Sequence, residues 1–253
     1  MRPGRITYVG HATTLIELDG AVLLTDPLLR PRFGHIRRIA PPAAALPPID
    51  AILLSHAHRD HLDLQSLRQL PRAVRVYAPP AAAAVLRRAR RPVQAVVPGD
   101  RLRVGELEVL AVPALHDGRR MPVGEDRTAI GYVISGSTSV YFAGDTDLFD
   151  GMRELAGLDT ALLPVWGWGP KVGPGHLDPE RAARAAALLA PSTAIPIHWG
   201  TYASPGAWWR EDPELPAREF ARLVAVHAPN VEVRILPPGS SAPLRPAEPA
   251  ARG

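Results

Sequence analysis

The sequence predicts an α/β chain of two similar strand-and-helix layers packed face to face, and three observations carry that prediction. Short apolar runs rich in β-branched residues recur along the chain, each bounded by Gly, Pro, Asp or Ser, which is the signature of strands. Alanine- and leucine-rich segments of helical length lie between them. The two halves also echo one another: "DAILLSHAH" (50–58) and "TSVYFAGDTD" (138–147) each run from an apolar strand into potential metal ligands.

In chain order, the strand signal falls on 6–9, 14–18, 22–24, 51–54, 74–77, 107–112, 130–134, 139–142, 161–165, 194–197 and 231–236. Helices are expected at 64–70, 80–90, 148–155, 179–189 and 216–226. Within "HLDPERAARAAALLA", Asp178 suits the N-cap, where its carboxylate can accept a free backbone N–H, and Pro179 suits the first helical position. Linker signals between the halves are poor, so residues 1–236 read as one domain. The tail 237–253 holds proline and alanine with few large apolar residues, and is expected to stay disordered.

Composition narrows the function. The chain has no cysteine, which removes disulfides, thiol nucleophiles and thiolate ligands together. Any metal must be held by imidazole and carboxylate. A formal charge of +4 invites a nucleic-acid reading. The basic residues, however, are arginines apart from Lys171, and their densest run, "RRARR" (87–91), ends an expected helix, where cations suit the dipole. No apolar run is long enough to span a membrane, and the first residues lack the apolar core of a signal peptide; the expected location is the cytoplasm.

"LLSHAHRDHLD" (53–63) carries the chemistry. Its H-x-H-x-D-H pattern follows a buried strand and places His56, His58, Asp60 and His61 within six positions. Imidazole and carboxylate are the ligands zinc accepts where thiolate is absent. Histidines two apart project to one side of an extended segment, while Asp60 and His61 can face a second position. A solvated polar turn would not explain the preceding strand. His116, Asp145 and His198 are each the first strong ligand after a later apolar run, so all can converge at one end of the sheets.

These ordered motifs, "SHAHRDH", His116, "GDT" (144–146) and "HWGT" (198–201), resemble those of the metallo-β-lactamase superfamily over almost the whole chain. The resemblance implies a four-layer αββα sandwich with a dinuclear site at its edge. Carried residue by residue, it implies that His56, His58 and His116 hold one divalent ion, that Asp60, His61 and His198 hold the other, and that Asp145 bridges both. Zinc suits these ligands first; Mn2+ or Fe2+ would also accept them. The early "GHA" and the late "GHLDPERAA" resemble a narrower branch that includes ascorbate-6-phosphate lactonases and phospholipases D cleaving N-acyl-phosphatidylethanolamines. That branch implies His11 and His176 near the substrate.

The implied reaction is hydrolysis of a small phosphodiester, phosphate-bearing lactone or related ester by a hydroxide made available between the ions, with Asp60 orienting or deprotonating it and His176 or His11 serving the leaving group. Trp166 and Trp168, in "PVWGWGP", and the arginine-rich segment 30–42 are candidates for an aromatic and basic pocket wall. Asp26 and Asp63 are candidates to orient ligating imidazoles, although Asp26 could equally cap the turn at Pro27. A metal-dependent nuclease acting on RNA or DNA, with salt-sensitive affinity, is one competing reading. A non-enzymatic metal or ligand sensor is the other. A small-molecule substrate is favoured over nucleic acid, and the sequence is silent on oligomeric state.

Overall fold

A computed structural model describes residues 4–118, 128–169, 171–205 and 212–245. In the amino-terminal half, β1 (Arg5–Gly10), β2 (Thr13–Leu18) and β3 (Ala21–Thr25) form an antiparallel meander. A small hairpin, β4 (Arg32–Phe33) and β5 (Ile36–Arg38), follows. The strands β6 (Ala51–Leu53), β7 (Arg75–Ala78) and β8 (Gln94–Ala95) then extend the sheet in parallel from β3, with α1 (Leu64–Arg68) and α2 (Pro80–Arg88) as crossovers.

The second half repeats this plan. Its antiparallel meander is β9 (Arg101–Val104), β10 (Leu107–Pro113), β11 (Ile130–Ser135) and β12 (Ser139–Phe142). The parallel extension uses β13 (Thr160–Pro164), β14 (Thr193–Ile197) and, after the two-residue strand β15 (Tyr202–Ala203), β16 (Glu232–Val233). Helices α3 (Pro179–Leu189) and α4 (Leu215–His227) lie in its crossovers. Two strands cross between halves: β17 (Ser240–Pro243) pairs antiparallel with β1, and β15 pairs antiparallel with β5.

Burial shows why these sequences take these places. Sheet centres read as continuous apolar runs, as in β13, "TALLP", buried throughout, because both faces are covered. The edge strand β9, "RLRV", alternates, with Arg101 and Arg103 facing solvent and Leu102 and Val104 facing the core. One apolar core, including Ile16, Leu23, Val109 and Ile134, fills the space between the sheets and continues under α3 and α4; a second, including Leu24, Ile52, Leu67 and Leu86, lies between the first sheet and α1 and α2. The layers are therefore αββα. On α3, alanines 182, 183, 185 and 186 are buried, so the helix approaches its neighbours closely. Its first turn is closed by the Asp178 carboxylate, which accepts the Arg181 N–H at 2.8 Å. No helix among the described residues is long and apolar enough to cross a membrane.

Three expectations change. Residues 150–155 form a 3-10 turn, not an α-helix. The segment from 237 packs: β17 completes the first sheet, the Gly239 N–H donates to Tyr8 O at 2.6 Å, and Leu244 is buried. Backbone pairing, not side-chain bulk, orders it; residues 246–253 lie outside the described residues. Finally, the echoing stretches are not topological equivalents: β6 is the first parallel strand of its sheet, whereas β12 is the last antiparallel strand of the other.

Candidate metal centre

The histidine-rich turn starts where β6 stops. The Leu54 N–H still donates to Tyr77 O at 2.9 Å, whereas the Ser55 N–H turns to the Asp26 Oδ1 at 2.8 Å. The N–H groups of His61 and Leu62 both return to His58 O, at 3.2 and 2.7 Å, which closes the loop into one tight turn. Bonds to β11 and to the segment after β10 pin it from behind: Ile130 N–H to Ser55 O at 3.0 Å, Tyr132 O–H to Leu54 O at 2.9 Å and Ala57 N–H to Gly118 O at 3.1 Å. The other residues follow β1 (His11), β10 (His116), β12 (Asp145) and β14 (His198), so both sheets contribute.

Gly144 shows how tight this convergence is. Its φ is +62°, and a Cβ there would stand 2.5 Å from the Ser55 Cβ. Only glycine lets the Asp145 turn and the Ser55 turn meet.

The structure brings all the predicted ligands together. His56, His58 and His116 form one group, and Asp60, His61 and His198 form a second that also takes in His11; within each, one ligand atom per residue lies within 4.8 Å of the others. Asp145 stands between them. Its Oδ2 is 3.1 Å from His61 Nε2 and 4.0 Å from His56 Nε2, and its Oδ1 is 3.4 Å from His198 Nε2.

Hydrogen bonds at the outer nitrogens set which ring nitrogen faces inward. His116 Nδ1 donates to Gly175 O at 2.8 Å, and His198 Nδ1 to Trp166 O at 2.7 Å. A carbonyl can only accept, so each Nε2 presents a bare lone pair. His61 Nδ1 lies 2.8 Å from Asp26 Oδ2, a carboxylate–histidine pairing of the kind that orients metal ligands. Ser55 donates its only hydroxyl proton to the same Asp26 oxygen and accepts from His56 Nδ1 at 2.9 Å. One buried carboxylate thus governs two histidines, His61 directly and His56 through Ser55. Sequence reasoning missed Ser55, whose only signal is its place directly before the first histidine.

A cation fits this donor set. His56 Nε2 and Asp145 Oδ1 are buried without a hydrogen-bond partner, which is costly unless something else satisfies them. Burial pushes His56, His58, His116 and His198 below the usual imidazole value, His58 to about 4 and His198 to about 3, so these rings are neutral at ordinary pH. Burial alone would lower His61 too, but Asp145, Asp60 and Asp26 hold it well above the usual value. Burial would likewise raise Asp60 and Asp145, but the surrounding imidazoles hold both well below it. Carboxylates that attract a proton onto His61 would attract a metal ion in its place.

The remaining predictions divide. His11 enters the second group: its Nε2 is 3.1 Å from Asp60 Oδ2 and its ring lies 3.7 Å from that of His198, centroid to centroid. His11 and His198 both have positive φ, 58° and 67°, and the His198 N–H donates to His11 O at 2.8 Å. Left-handed backbone at two adjoining histidines is strain of the kind that collects at functional sites. His176 Nε2 lies 3.4 Å from Asp145 Oδ2. Trp166 and Trp168 both line a pocket of about 390 Å³ above the cluster, together with Arg59, Lys171 and Val172. Arg59 was not among the expected residues.

The arginines of 30–42 are a correction. Arg30 pairs with both oxygens of Asp63 at 2.8 Å, and Arg38 donates to Pro41 O and Val9 O at 2.8 Å; both fasten loops and neither lines the pocket. Asp63 accordingly orients no imidazole. It caps α1 through the Ser66 N–H at 2.8 Å. Asp26 takes the orienting role instead of capping its turn.

Comparisons with known proteins agree with this geometry. The model of the beta-lactamase superfamily domain matches residues 22–199. A metal-dependent hydrolase of Methanopyrus kandleri is 36% identical over 245 residues, covering 94% of this chain and 98% of its own. An N-acyl-phosphatidylethanolamine-hydrolyzing phospholipase D of Caenorhabditis elegans is 26% identical over 226 residues, 78% of this chain and 64% of that protein. In fold, a metallo hydrolase from the archaeon Ignicoccus hospitalis superposes with a TM-score of 0.72 at 24% identity, covering 95% of this chain and 98% of its own. With a family model spanning most of its length and a full-length relative above 30% identity, the chain belongs to the metallo-β-lactamase superfamily of metal-dependent hydrolases.

Proposed function

We propose that the protein holds two divalent ions, zinc first, and hydrolyses a small phosphodiester, phosphate-bearing lactone or related ester. His56, His58 and His116 would hold one ion; Asp60, His61 and His198 the other; Asp145 would be shared. The observation that carries the reading is the inward set of bare imidazole nitrogens around a carboxylate that reaches both groups. Such ions supply Lewis acidity, lowering the pKa of water and polarising a carbonyl or phosphoryl oxygen.

The chain's own residues do the rest. Asp60, ionised and partly open to the pocket, is placed to orient water and accept its proton. His176 has Nδ1 turned to the carbonyls of Gly173 and Pro174, so its Nε2 carries a proton to give a leaving group only as the imidazolium, the form that the neighbouring Asp145 carboxylate favours. The indoles of Trp166 and Trp168 with Val172 offer an apolar wall. Arg59 and Lys171 have no ion-pair partner among the described residues and suit an anionic group on the substrate. A pocket of about 390 Å³ matches a small molecule.

Elemental analysis of the purified protein, followed by a panel of p-nitrophenyl phosphodiesters and lactones, tests the reading. Asp145→Ala should abolish both tight metal retention and turnover. Full activity in that variant on a genuine substrate would remove the proposal.

A further inference from the structure

We propose that Trp168 is a positioning residue for Asp60: the indole that walls the pocket also fixes the carboxylate plane through its N–H. Trp168 Nε1 donates to Asp60 Oδ2 at 3.1 Å, and His11 Nε2 meets the same oxygen at 3.1 Å. The terminal torsion of an aspartate is broad, so a lone carboxylate samples many orientations. Two donors on one oxygen remove that freedom and leave Oδ1 for other work. They come from different sheets, His11 after β1 and Trp168 after β13.

The indole is itself held. Phe33 and His35 meet it edge-on, with centroids 6.2 and 6.3 Å away at 83° and 85°. The Ser204 N–H donates to Trp168 O at 2.9 Å. Phe33 and Ser204 belong to or adjoin the three-stranded sheet β15-β5-β4, where Tyr202 pairs with Arg38 and Ala203 with Arg37. Tyr202 O–H anchors that sheet to Leu28 O at 3.1 Å and Arg30 O at 2.6 Å. The segment 30–42, which contributes nothing to the pocket lining, therefore acts on the site as a buttress behind one side chain. A substrate packing against Trp168 would act on Asp60 through the same ring.

The consequence for metal affinity rests on the reading of Asp60 as a ligand, and the test separates the two. The full-length protein is stripped of metal, and its indole N–H resonances are recorded by NMR, with Trp168 assigned from the Trp168→Phe variant. Zinc affinity is then measured by competition with a chromophoric chelator. Asp60→Asn should move the Trp168 indole resonance. Trp168→Phe, which keeps the ring and removes the donor, should weaken the binding of one zinc by roughly ten- to a hundredfold and leave the other unchanged. An indole resonance indifferent to Asp60→Asn, or a Trp168→Phe protein binding both ions with wild-type affinity, overturns the proposal. A protein that binds no zinc yet shows the Asp60→Asn shift refutes the metal reading and supports the Trp168–Asp60 contact. Should Trp168→Phe fail to fold, Trp168 is assigned from triple-resonance connectivities of the wild-type protein, and the Asp60→Asn shift still decides.

Discussion

Asp26→Asn keeps the shape of the side chain and alters only where protons sit. The Oδ1 of Asp26 accepts the Ser55 N–H, while Oδ2 accepts the Ser55 hydroxyl and faces His61 Nδ1 at 2.8 Å. An amide has one oxygen and one nitrogen donor, so neither orientation reproduces this pattern. With nitrogen in the Oδ2 position, His61 must surrender its Nδ1 proton and carry one on Nε2, the nitrogen facing Asp145 and His198. With nitrogen in the Oδ1 position, two donors meet at Ser55. Both residues are fully buried, and an unmatched buried donor costs about 1–3 kcal/mol. At about 2–4 °C per kcal/mol for a chain of this size, the metal-free variant should melt roughly 2–12 °C lower. Loss of the orienting carboxylate should also weaken metal binding by about ten- to a hundredfold. Differential scanning calorimetry of the metal-free protein and chelator competition measure the two effects. A variant that melts with the wild type and keeps its metal affinity would refute the argument that Asp26 sets the His61 tautomer.

Gly144→Ala should cost far more function than its size suggests, because the new methyl would stand 2.5 Å from the Ser55 Cβ and 3.1 Å from Ile130 O on left-handed backbone. Reduced metal content in soluble protein is the expected readout, and wild-type content would contradict it. Asp178→Ala removes the N-cap of α3, a carboxylate that bonds the Arg181 N–H and not a candidate ligand, and should lower stability by about 1 kcal/mol in denaturant titration while metal content stays at the wild-type level.

How much of this could be read beforehand depended on how local each signal is. Helix α3 is legible because Asp178, Pro179 and the alanine-rich face lie within one short segment. The clustering of the candidate ligands is legible because each follows an apolar strand and the motif H-x-H-x-D-H is contiguous. Two strand-and-helix layers packed face to face follow from two runs of strands and helices, whereas the four-layer αββα order and the family came from the motif resemblance. By contrast, β15 and β5 pair over only two residues across more than 160 positions, so neither leaves a periodic trace. The same holds for β17, whose "SSAP" carries no alternation and gains its place from the unpaired edge of β1. Asp63 misleads because a carboxylate beside three histidines looks like their partner, whereas the Arg30 fork and the Ser66 N–H claim it first. Charge alone could not place the arginines of 30–42, since loop-fastening and substrate-binding guanidinium groups look alike in a sequence.

The pairing of β17 with β1 gives a four-residue strand a reach out of proportion to its chemistry. Without that strand, Arg5 to Tyr8 would become an open sheet border, a template on which a second molecule could stack. The loosening would not stop there, since Tyr8 O–H holds Trp199 O at 2.6 Å and the Thr201 hydroxyl accepts the His11 N–H at 2.8 Å. A protease nick near Pro237 would thus be felt three residues beyond Tyr8, the last partner of β17 on β1, at the imidazole of His11, and preparations trimmed there would lose potency and gain a tendency to clump together.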